Sequence, residues 1–183
     1  MRRTIFLFFS FILLLYLLIP GPSSIKDFPT LPSSVKSNLE GDTIQVPNIS
    51  AYFSDNYRSF ATNFYKNSYE NSVLMPLLPI RLNYPPEFAY MAIMDQTRST
   101  YLEEYIYPLR DSLYVNGYEP FYENGKPKFW GSVKADEENG TYFNKTTLRY
   151  YPSSYLVRVI VWLGIILSIS FIWKVGRRIF LNG

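Results

Sequence analysis

Cysteine and histidine are both absent from this chain of 183 residues. Without cysteine the chain has no disulfide, thiol nucleophile or thiolate metal ligand, and without histidine it has no histidine-based triad or imidazole ligand. It also lacks a Gly-rich phosphate loop, a nucleophile elbow and an HExxH motif. The net charge is only +3, which argues against general binding of nucleic acid. We therefore predict no cofactor, no metal site and no nucleic-acid partner.

The first of two long apolar runs occupies residues 5–19, directly behind a pair of arginines. As a helix it would be about 22 Å long, which suits a signal sequence and is short for a hydrocarbon core of about 30 Å. No small-x-small cleavage pattern follows, because the next residues are Pro, Gly and Pro. We predict an uncleaved signal anchor, an N-terminal transmembrane helix, over residues 1–19. A cleaved signal peptide is the alternative.

The second apolar run covers residues 156–175 and is long enough to span about 30 Å as a helix. A basic residue near each end can extend to the membrane interface, and a tryptophan near each end fits an aromatic belt. We predict a transmembrane helix here, followed by a basic cytoplasmic tail over residues 176–183. The residues predicted to anchor the chain in the membrane are Arg2, Arg3, Arg158, Trp162, Trp173, Lys174, Arg177 and Arg178.

Charge is distributed unevenly about these two runs. The region between them holds all 15 acidic residues and 12 of the 18 basic residues. Five of the remaining basic residues lie on the outer flanks of the runs. By the positive-inside rule, both termini are then cytoplasmic. We predict a protein of the cell membrane whose residues 20–155 are extracytoplasmic.

The first part of the exported region is rich in proline. Five prolines between residues 20 and 47 interrupt any regular period, so we predict a semi-rigid stalk there. From residue 48 to about residue 69, apolar residues recur every three or four positions, which predicts an amphipathic helix. The same spacing predicts a second helix over about residues 84–107, which Pro108 would end.

Strands are predicted in the remainder of the exported region. Asn-Gly pairs at 116–117 and 124–125 separate runs rich in Tyr, Phe and Val, a pattern typical of β-hairpins. The predicted strands cover residues 114–115, 118–122, 128–134 and 141–151. The fold class is therefore α+β: over residues 48–155, two amphipathic helices pack on a small antiparallel β-meander of three or four strands, with a transmembrane helix on either side.

Asp95 is the carboxylate most in need of explanation, because it falls in the apolar stripe of the second predicted helix. One hypothesis makes it a catalytic acid or base, assisted by Glu103 or Glu104. The alternative, which we favour, is a structural ion pair with Arg98, Arg81 or Arg110, because buried carboxylates need a partner and no catalytic motif accompanies this one. Catalytic residues thus stay unknown at this stage, and an enzyme is the less favoured interpretation.

Aromatic residues make up 19% of the chain, and 16 of its 17 tyrosines lie in the exported region. Exposed aromatic rings bind sugars and peptides, which makes Tyr118, Tyr122, Phe129 and Trp130 a candidate binding surface. The alternative is ordinary packing of strand residues, since tyrosine and phenylalanine favour strands.

These features predict a non-catalytic accessory or interaction subunit of a cell-envelope membrane complex, anchored in the lipid bilayer. Tethering raises the effective concentration of the exported domain near its partner, which we expect to be an integral membrane protein. The alternative is a protein that binds or acts on envelope glycans through the carboxylates, tyrosines and tryptophan of the exported domain.

Overall fold

The structure is a computed structural model that describes residues 2–39, 42, 46–74, 77–93, 98–137 and 140–181. The chain divides into two compact units, one formed by Gly21–Pro152 and the other by Met1–Pro20 together with Ser153–Gly183. The helices are α1 (Arg2–Leu18), α2 (Arg58–Asn71), α3 (Ala89–Ala92) and α4 (Tyr155–Leu181). The strands are β1 (Ser34–Lys36), β2 (Ile49–Ser54), β3 (Ile80–Tyr84), β4 (Tyr101–Tyr107), β5 (Asp111–Tyr118), β6 (Ala135–Glu137), β7 (Gly140–Tyr142) and β8 (Asn144–Tyr151).

The unit Gly21–Pro152 is built on an antiparallel sheet of six strands in the order β1-β2-β8-β5-β4-β3. Strands β6 and β7 form a separate two-stranded ribbon. Helix α2 packs on one face of the large sheet, where the Tyr105 hydroxyl lies 3.2 Å from the Thr62 carbonyl. We call this the helix face. On the opposite face, the cleft face, Ala89 and Ile93 pack with Leu102 in a small buried core. The prediction of an α+β domain with antiparallel strands is therefore confirmed.

The first predicted helix is partly wrong, because residues 49–54 form strand β2 and the helix begins only at Arg58. All six residues of β2 are buried, so this strand is covered on both faces. A strand covered on both faces lacks the apolar–polar alternation that identifies a half-exposed strand. Its apolar residues were therefore assigned to the same period as those of the following helix.

The second predicted helix is wrong over most of its length. The described part contains a 3-10 turn (Pro86–Phe88), the four-residue helix α3 and then strand β4. Leu102 and Ile106 are four residues apart, and this spacing places two side chains on one face of a helix and equally on one face of a strand.

The two Asn-Gly pairs differ in the structure. Gly125 has a φ of +76° in a tight turn, as predicted. Asn116 and Gly117 instead lie inside β5, paired with Leu102 and Tyr101 of β4. The strand predicted at 128–134 is absent from these residues, all of which the structure describes, and the one predicted at 118–122 is reduced to the end of β5 and an isolated bridge at Phe121. The strand predicted over 141–151 is present as β7 and β8.

The region predicted as a stalk is folded onto the sheet in its described part. It contains a 3-10 turn (Ile25–Asp27) and the edge strand β1. Ile25, Phe28 and Leu31 are buried, and the Tyr150 hydroxyl donates to the Pro22 carbonyl (2.9 Å). Proline keeps the path extended, but the apolar residues between the prolines supply enough buried surface to hold the segment in place.

The other unit contains α1 and α4. Helix α4 holds a segment, Tyr155–Ile179, that is long and apolar enough to cross a membrane. The apolar part of α1, Thr4–Leu18, is too short to meet the same criterion. Within the described residues there is thus one candidate membrane span, where the sequence predicted two.

Helices α1 and α4 contact each other through polar groups near one end. The Arg158 guanidinium is buried and donates through Nη1 to the carbonyl of Leu17 (3.2 Å) and through Nε to Ser153 Oγ (2.8 Å). The indole N–H of Trp162 donates to the carbonyl of Ser10 (2.9 Å). Arg158 therefore binds the carbonyl end of α1, where the helix dipole favours a cation, whereas the sequence predicted that it extends to the membrane interface.

Candidate functional site

Glu103 lies at the centre of a charged cluster on the helix face. Its carboxylate is fully buried and accepts hydrogen bonds from Arg81 Nε (2.8 Å), Arg58 Nη2 (2.7 Å) and the Tyr105 hydroxyl (2.7 Å). Arg58 begins α2, and Arg81 comes from the edge strand β3. The cluster therefore joins the helix, the edge strand β3 and its neighbour β4.

The pKa of Glu103 lies below its ordinary value as the net result of opposing effects. Burial is the largest single effect and would raise the pKa, because it disfavours the charged form. The hydrogen bonds from Arg81, Tyr105 and Arg58, together with the charge of Arg58, outweigh it. Glu103 is therefore ionised at neutral pH and fully engaged by its neighbours, which suits a structural role and disfavours proton transfer.

The stability of the domain is expected to fall as the pH drops below about 4.5, the ordinary pKa of this carboxyl. A carboxyl whose pKa is lower in the folded state stabilises the protein above its unfolded pKa and loses that contribution as the pH falls through its folded pKa. One such proton changes the free energy of unfolding by at most about 1.4 kcal/mol per pH unit. Urea unfolding of wild type and Glu103→Gln across pH 7 to 3 measures this. An equal slope in both proteins would contradict the assignment.

Glu104 follows Glu103 in β4 and points to the opposite, cleft face, since successive strand residues alternate. It is buried and accepts a hydrogen bond from the Tyr84 hydroxyl (2.7 Å). This bond, with burial, raises the pKa of Tyr84 to about 12. Burial, followed by the charge of Glu104 and a hydrogen bond to it, raises the pKa of Tyr114. Glu104 is thus held by two tyrosines.

The two candidate catalytic carboxylates that the structure describes, Glu103 and Glu104, are not brought together. Glu103 and Glu104 lie on opposite faces of one strand, and each is hydrogen-bonded by side chains of its own face. Asp95 lies outside the described residues. Arg81, proposed as a possible partner of Asp95, contacts Glu103 instead. No group of three or more acidic side chains that could hold a metal ion occurs among the described residues.

An aromatic cleft of about 300 Å³ opens on the cleft face, beside α3. Its walls include Tyr84, Phe88, Tyr114 and Tyr151, and the ring centroids of Tyr114 and Tyr151 are 5.6 Å apart. The sequence analysis missed this group because it assigned Tyr84 and Phe88 to a helix. For Tyr114 and Tyr151, the alternation of side chains along strands β5 and β8 was the sequence signal that could have placed them on this face. The hydroxyls of Tyr84 and Tyr114 already bond Glu104, so this cleft presents mainly ring surfaces.

The predicted aromatic surface lies on the loop that follows β5, residues 119–134, which we call the aromatic loop. Trp130 is fully exposed, and Tyr122 and Phe129 are about half exposed. Tyr118 differs, because it is buried at the end of β5 and its hydroxyl donates to the Val133 carbonyl (2.9 Å). It supports the loop and does not form part of the exposed surface. The structure therefore brings three of the four predicted residues to the surface.

Polar contacts hold the aromatic loop in one conformation. Glu119 is buried, forms an ion pair with Lys128 and accepts a hydrogen bond from the Arg58 backbone N–H (2.9 Å). The Lys128 backbone N–H and Ser132 Oγ both donate to the Pro120 carbonyl (2.8 and 2.9 Å). A loop fixed in this way presents exposed rings at little cost in conformational entropy on binding. The sequence offered no signal for this support, since its partners are distant along the chain.

The aromatic loop and the ends of the domain chain lie at opposite ends of the sheet. The loop follows Tyr118, which pairs with Lys145, whereas Ser112 at the other end of β5 pairs with Tyr151, the last residue of β8. Eight residues of β5 separate these ends by about 23 Å at about 3.3 Å per residue. The exposed rings are therefore far from Tyr151, the last residue of β8.

The residues predicted to anchor the chain lie on α1 and α4. Trp173, Lys174, Arg177 and Arg178 are exposed along the second half of α4. Arg158 and Trp162 instead contact α1. The side chains of Arg2 and Arg3 lie outside the described part.

Comparison with known protein families, with curated proteins and with solved structures found no match for this chain.

Proposed function

We propose that this protein is a membrane-anchored, non-catalytic interaction subunit whose exported domain presents the aromatic loop to a partner in a cell-envelope membrane complex. The observation that carries the proposal is the exposure of Trp130, Phe129 and Tyr122 on a loop supported by partly buried polar contacts. Tryptophan and tyrosine dominate the binding energy of protein interfaces, and exposed groups of such rings mark interaction sites.

Anchoring in the membrane is supported by α4 and by the charge distribution. The segment Tyr155–Ile179 is apolar and long enough to span, and basic residues follow at its end. All acidic residues lie between α1 and α4, which agrees with export of that region and cytoplasmic termini. We propose that α1 is retained as a second anchor. Arg158 and Trp162 bond its backbone carbonyls, and cleavage of α1 would leave the buried Arg158 cation without those acceptors.

A non-catalytic role is supported by the hydrogen bonds that engage the carboxylates of Glu103 and Glu104. Glu103 accepts from two arginines and a tyrosine, and Glu104 from two tyrosines on the other face. General acid–base chemistry on a glycosidic bond needs two carboxyl groups that flank one substrate. Glu103 and Glu104 do not have this geometry. Binding of a glycan by the aromatic loop uses the same rings as protein binding, so the experiment below includes it.

Trp130→Ala is expected to weaken partner binding by about 30-fold, because central tryptophans of interfaces contribute about 2 kcal/mol or more. The measurement is quantitative co-purification of the C-terminally tagged full chain from native membranes in mild detergent. A stoichiometric membrane protein should be recovered with wild type and lost with the variant. Stability should change little, because the Trp130 side chain is fully exposed.

The matched control is Tyr90→Ala, which removes a largely exposed ring outside the aromatic loop. It should leave recovery of the partner unchanged. A partner that stays bound to Trp130→Ala would contradict the proposed surface, and a wild-type protein recovered alone would contradict the interaction role. In that second case, retention of wild type and loss of Trp130→Ala on isolated envelope glycans would assign the loop to glycan binding.

A further inference from the structure

Three exposed leucines lie on two loops at one end of the domain. Leu74 and Leu78 flank the connection from α2 to β3 and are 79% and 77% exposed. Leu109, in the turn between β4 and β5, is 51% exposed. Exposing a leucine side chain to water on a loop costs more free energy than exposing the polar residues that usually occupy such positions. All three side chains would gain stability from burial in a common apolar environment.

Contacts within the domain place these loops at the same end of the sheet. The Tyr107 hydroxyl, at the end of β4, donates to the carbonyl of Leu77 (2.7 Å), and Tyr69, near the end of α2, packs its ring 4.9 Å from the Tyr107 ring. Leu109 follows Tyr107 by two residues. The loops that carry the three leucines are therefore neighbours.

Both ends of the domain chain lie at this same end. A Cβ placed on Gly21 would come within 3.0 Å of Arg110 Nη2, which puts the start of the domain beside the turn of Leu109. Strand β8 ends at Tyr151, and α4 begins at Tyr155. With three residues between them, the Cα atoms of Tyr151 and Tyr155 are at most about 14 Å apart. If α4 crosses a bilayer, this end of the domain lies within reach of the lipid surface.

The backbone of Leu109 adds an independent observation. Its φ is +63°, in the left-handed region that β-carbon contacts disfavour for leucine and that glycine or asparagine adopts more easily. The backbone conformation at this turn is therefore unfavourable for leucine. Burial of the apolar side chain against a partner outside the domain would offset that cost.

We infer that Leu74, Leu78 and Leu109 insert into the interfacial layer of the bilayer and fix the domain against the membrane surface. The inference rests on the proposed anchoring by α4. Lipid is the occupant that fits, because the leucines come from two neighbouring loops at the end of the domain where the chain continues into an apolar helix. Apolar side chains of interfacial segments enter a bilayer by about 5–10 Å.

The absence of cysteine makes the test direct, since each single-cysteine variant carries one label. Full-length Leu74→Cys, Leu78→Cys and Leu109→Cys are labelled with an environment-sensitive fluorophore and reconstituted in phosphatidylcholine vesicles. Quenching is measured with lipids that carry a quencher at the headgroup or in the acyl chain, and with aqueous iodide. Tyr122→Cys on the aromatic loop is the matched exposed control, and Leu167→Cys, in the middle of α4, is the control for anchoring.

We expect the three leucine positions to be quenched several-fold more by the headgroup-level lipid than Tyr122→Cys, and to be protected from iodide. Labels accessible to iodide and unaffected by lipid quenchers would overturn the inference. Protection from iodide without lipid quenching would also overturn it, because a second copy of the chain would then cover the leucines. If the label at position 167 is not quenched by acyl-chain quenchers, the anchoring by α4 itself fails. Quenching at 167 with none at the leucines refutes only the interfacial contact.

Discussion

Replacing Glu103 by alanine is expected to lower the free energy of unfolding by about 2 kcal/mol, because it removes the buried carboxylate that accepts charge-assisted hydrogen bonds from Arg58 and Arg81. The loss is smaller than for a pair with both charges buried, since the side chains of Arg58 and Arg81 are 35% and 50% exposed and can turn towards water. Urea unfolding of the full chain in mild detergent, followed by near-ultraviolet circular dichroism of its tyrosines, measures the change.

Two further variants separate charge from packing in this cluster. Glu123→Ala, which removes an exposed carboxylate, should change stability by less than about 0.5 kcal/mol. The triple variant Arg58→Met, Arg81→Met and Glu103→Met should lose less stability than Glu103→Ala, because it leaves no unpaired charge. A loss below about 1 kcal/mol in Glu103→Ala would contradict the structural role of the cluster. A catalytic role for Glu103 would then have to be considered again.

The second large effect is expected at Gly117, where alanine should cost about 2 kcal/mol through overpacking. A Cβ at this position would lie 2.3 Å from atoms of the Tyr101 ring, which is buried between the sheet and the Arg58 guanidinium. Gly117 does not have a positive φ, so the cost comes from the ring and not from the backbone. At an unobstructed position, glycine to alanine stabilises by about 0.4–1 kcal/mol. Urea unfolding measures the change in the free energy of unfolding. A decrease supports overpacking, and an increase contradicts it.

A double-mutant cycle identifies the ring as the cause. Tyr101→Leu removes the atoms that the new methyl group would meet, so Gly117→Ala should cost little in that background. Equal costs in the two backgrounds would contradict the packing explanation. Gly125→Ala provides a contrast, because Gly125 has a φ of +76° and no atom within 4 Å of its Cβ position, so any cost there comes from the backbone alone.

The two Asn-Gly pairs, at 116–117 and 124–125, also show where a sequence pattern is ambiguous. An Asn-Gly pair between aromatic runs is typical of a hairpin turn, and the pair at 124–125 is one. The pair at 116–117 has the same local signal, but its glycine makes room for a tyrosine on the neighbouring strand. Nothing near position 117 in the sequence identifies Tyr101 as its neighbour. The pairing of β4 with β5 decides it.

The sequence by itself determined the apolar segments at both ends, the antiparallel α+β class, the position of β8 and the absence of cysteine and histidine chemistry. It also identified the exposed rings Tyr122, Phe129 and Trp130, because their type and spacing are local properties. Only the tertiary structure decided that residues 49–54 and 101–107 are strands, since strands covered on both faces lose their alternation and share a four-residue spacing with helices. It likewise placed Glu103 and Glu104 on opposite faces with separate partners, because the arginines and tyrosines that bind them come from distant strands and a helix.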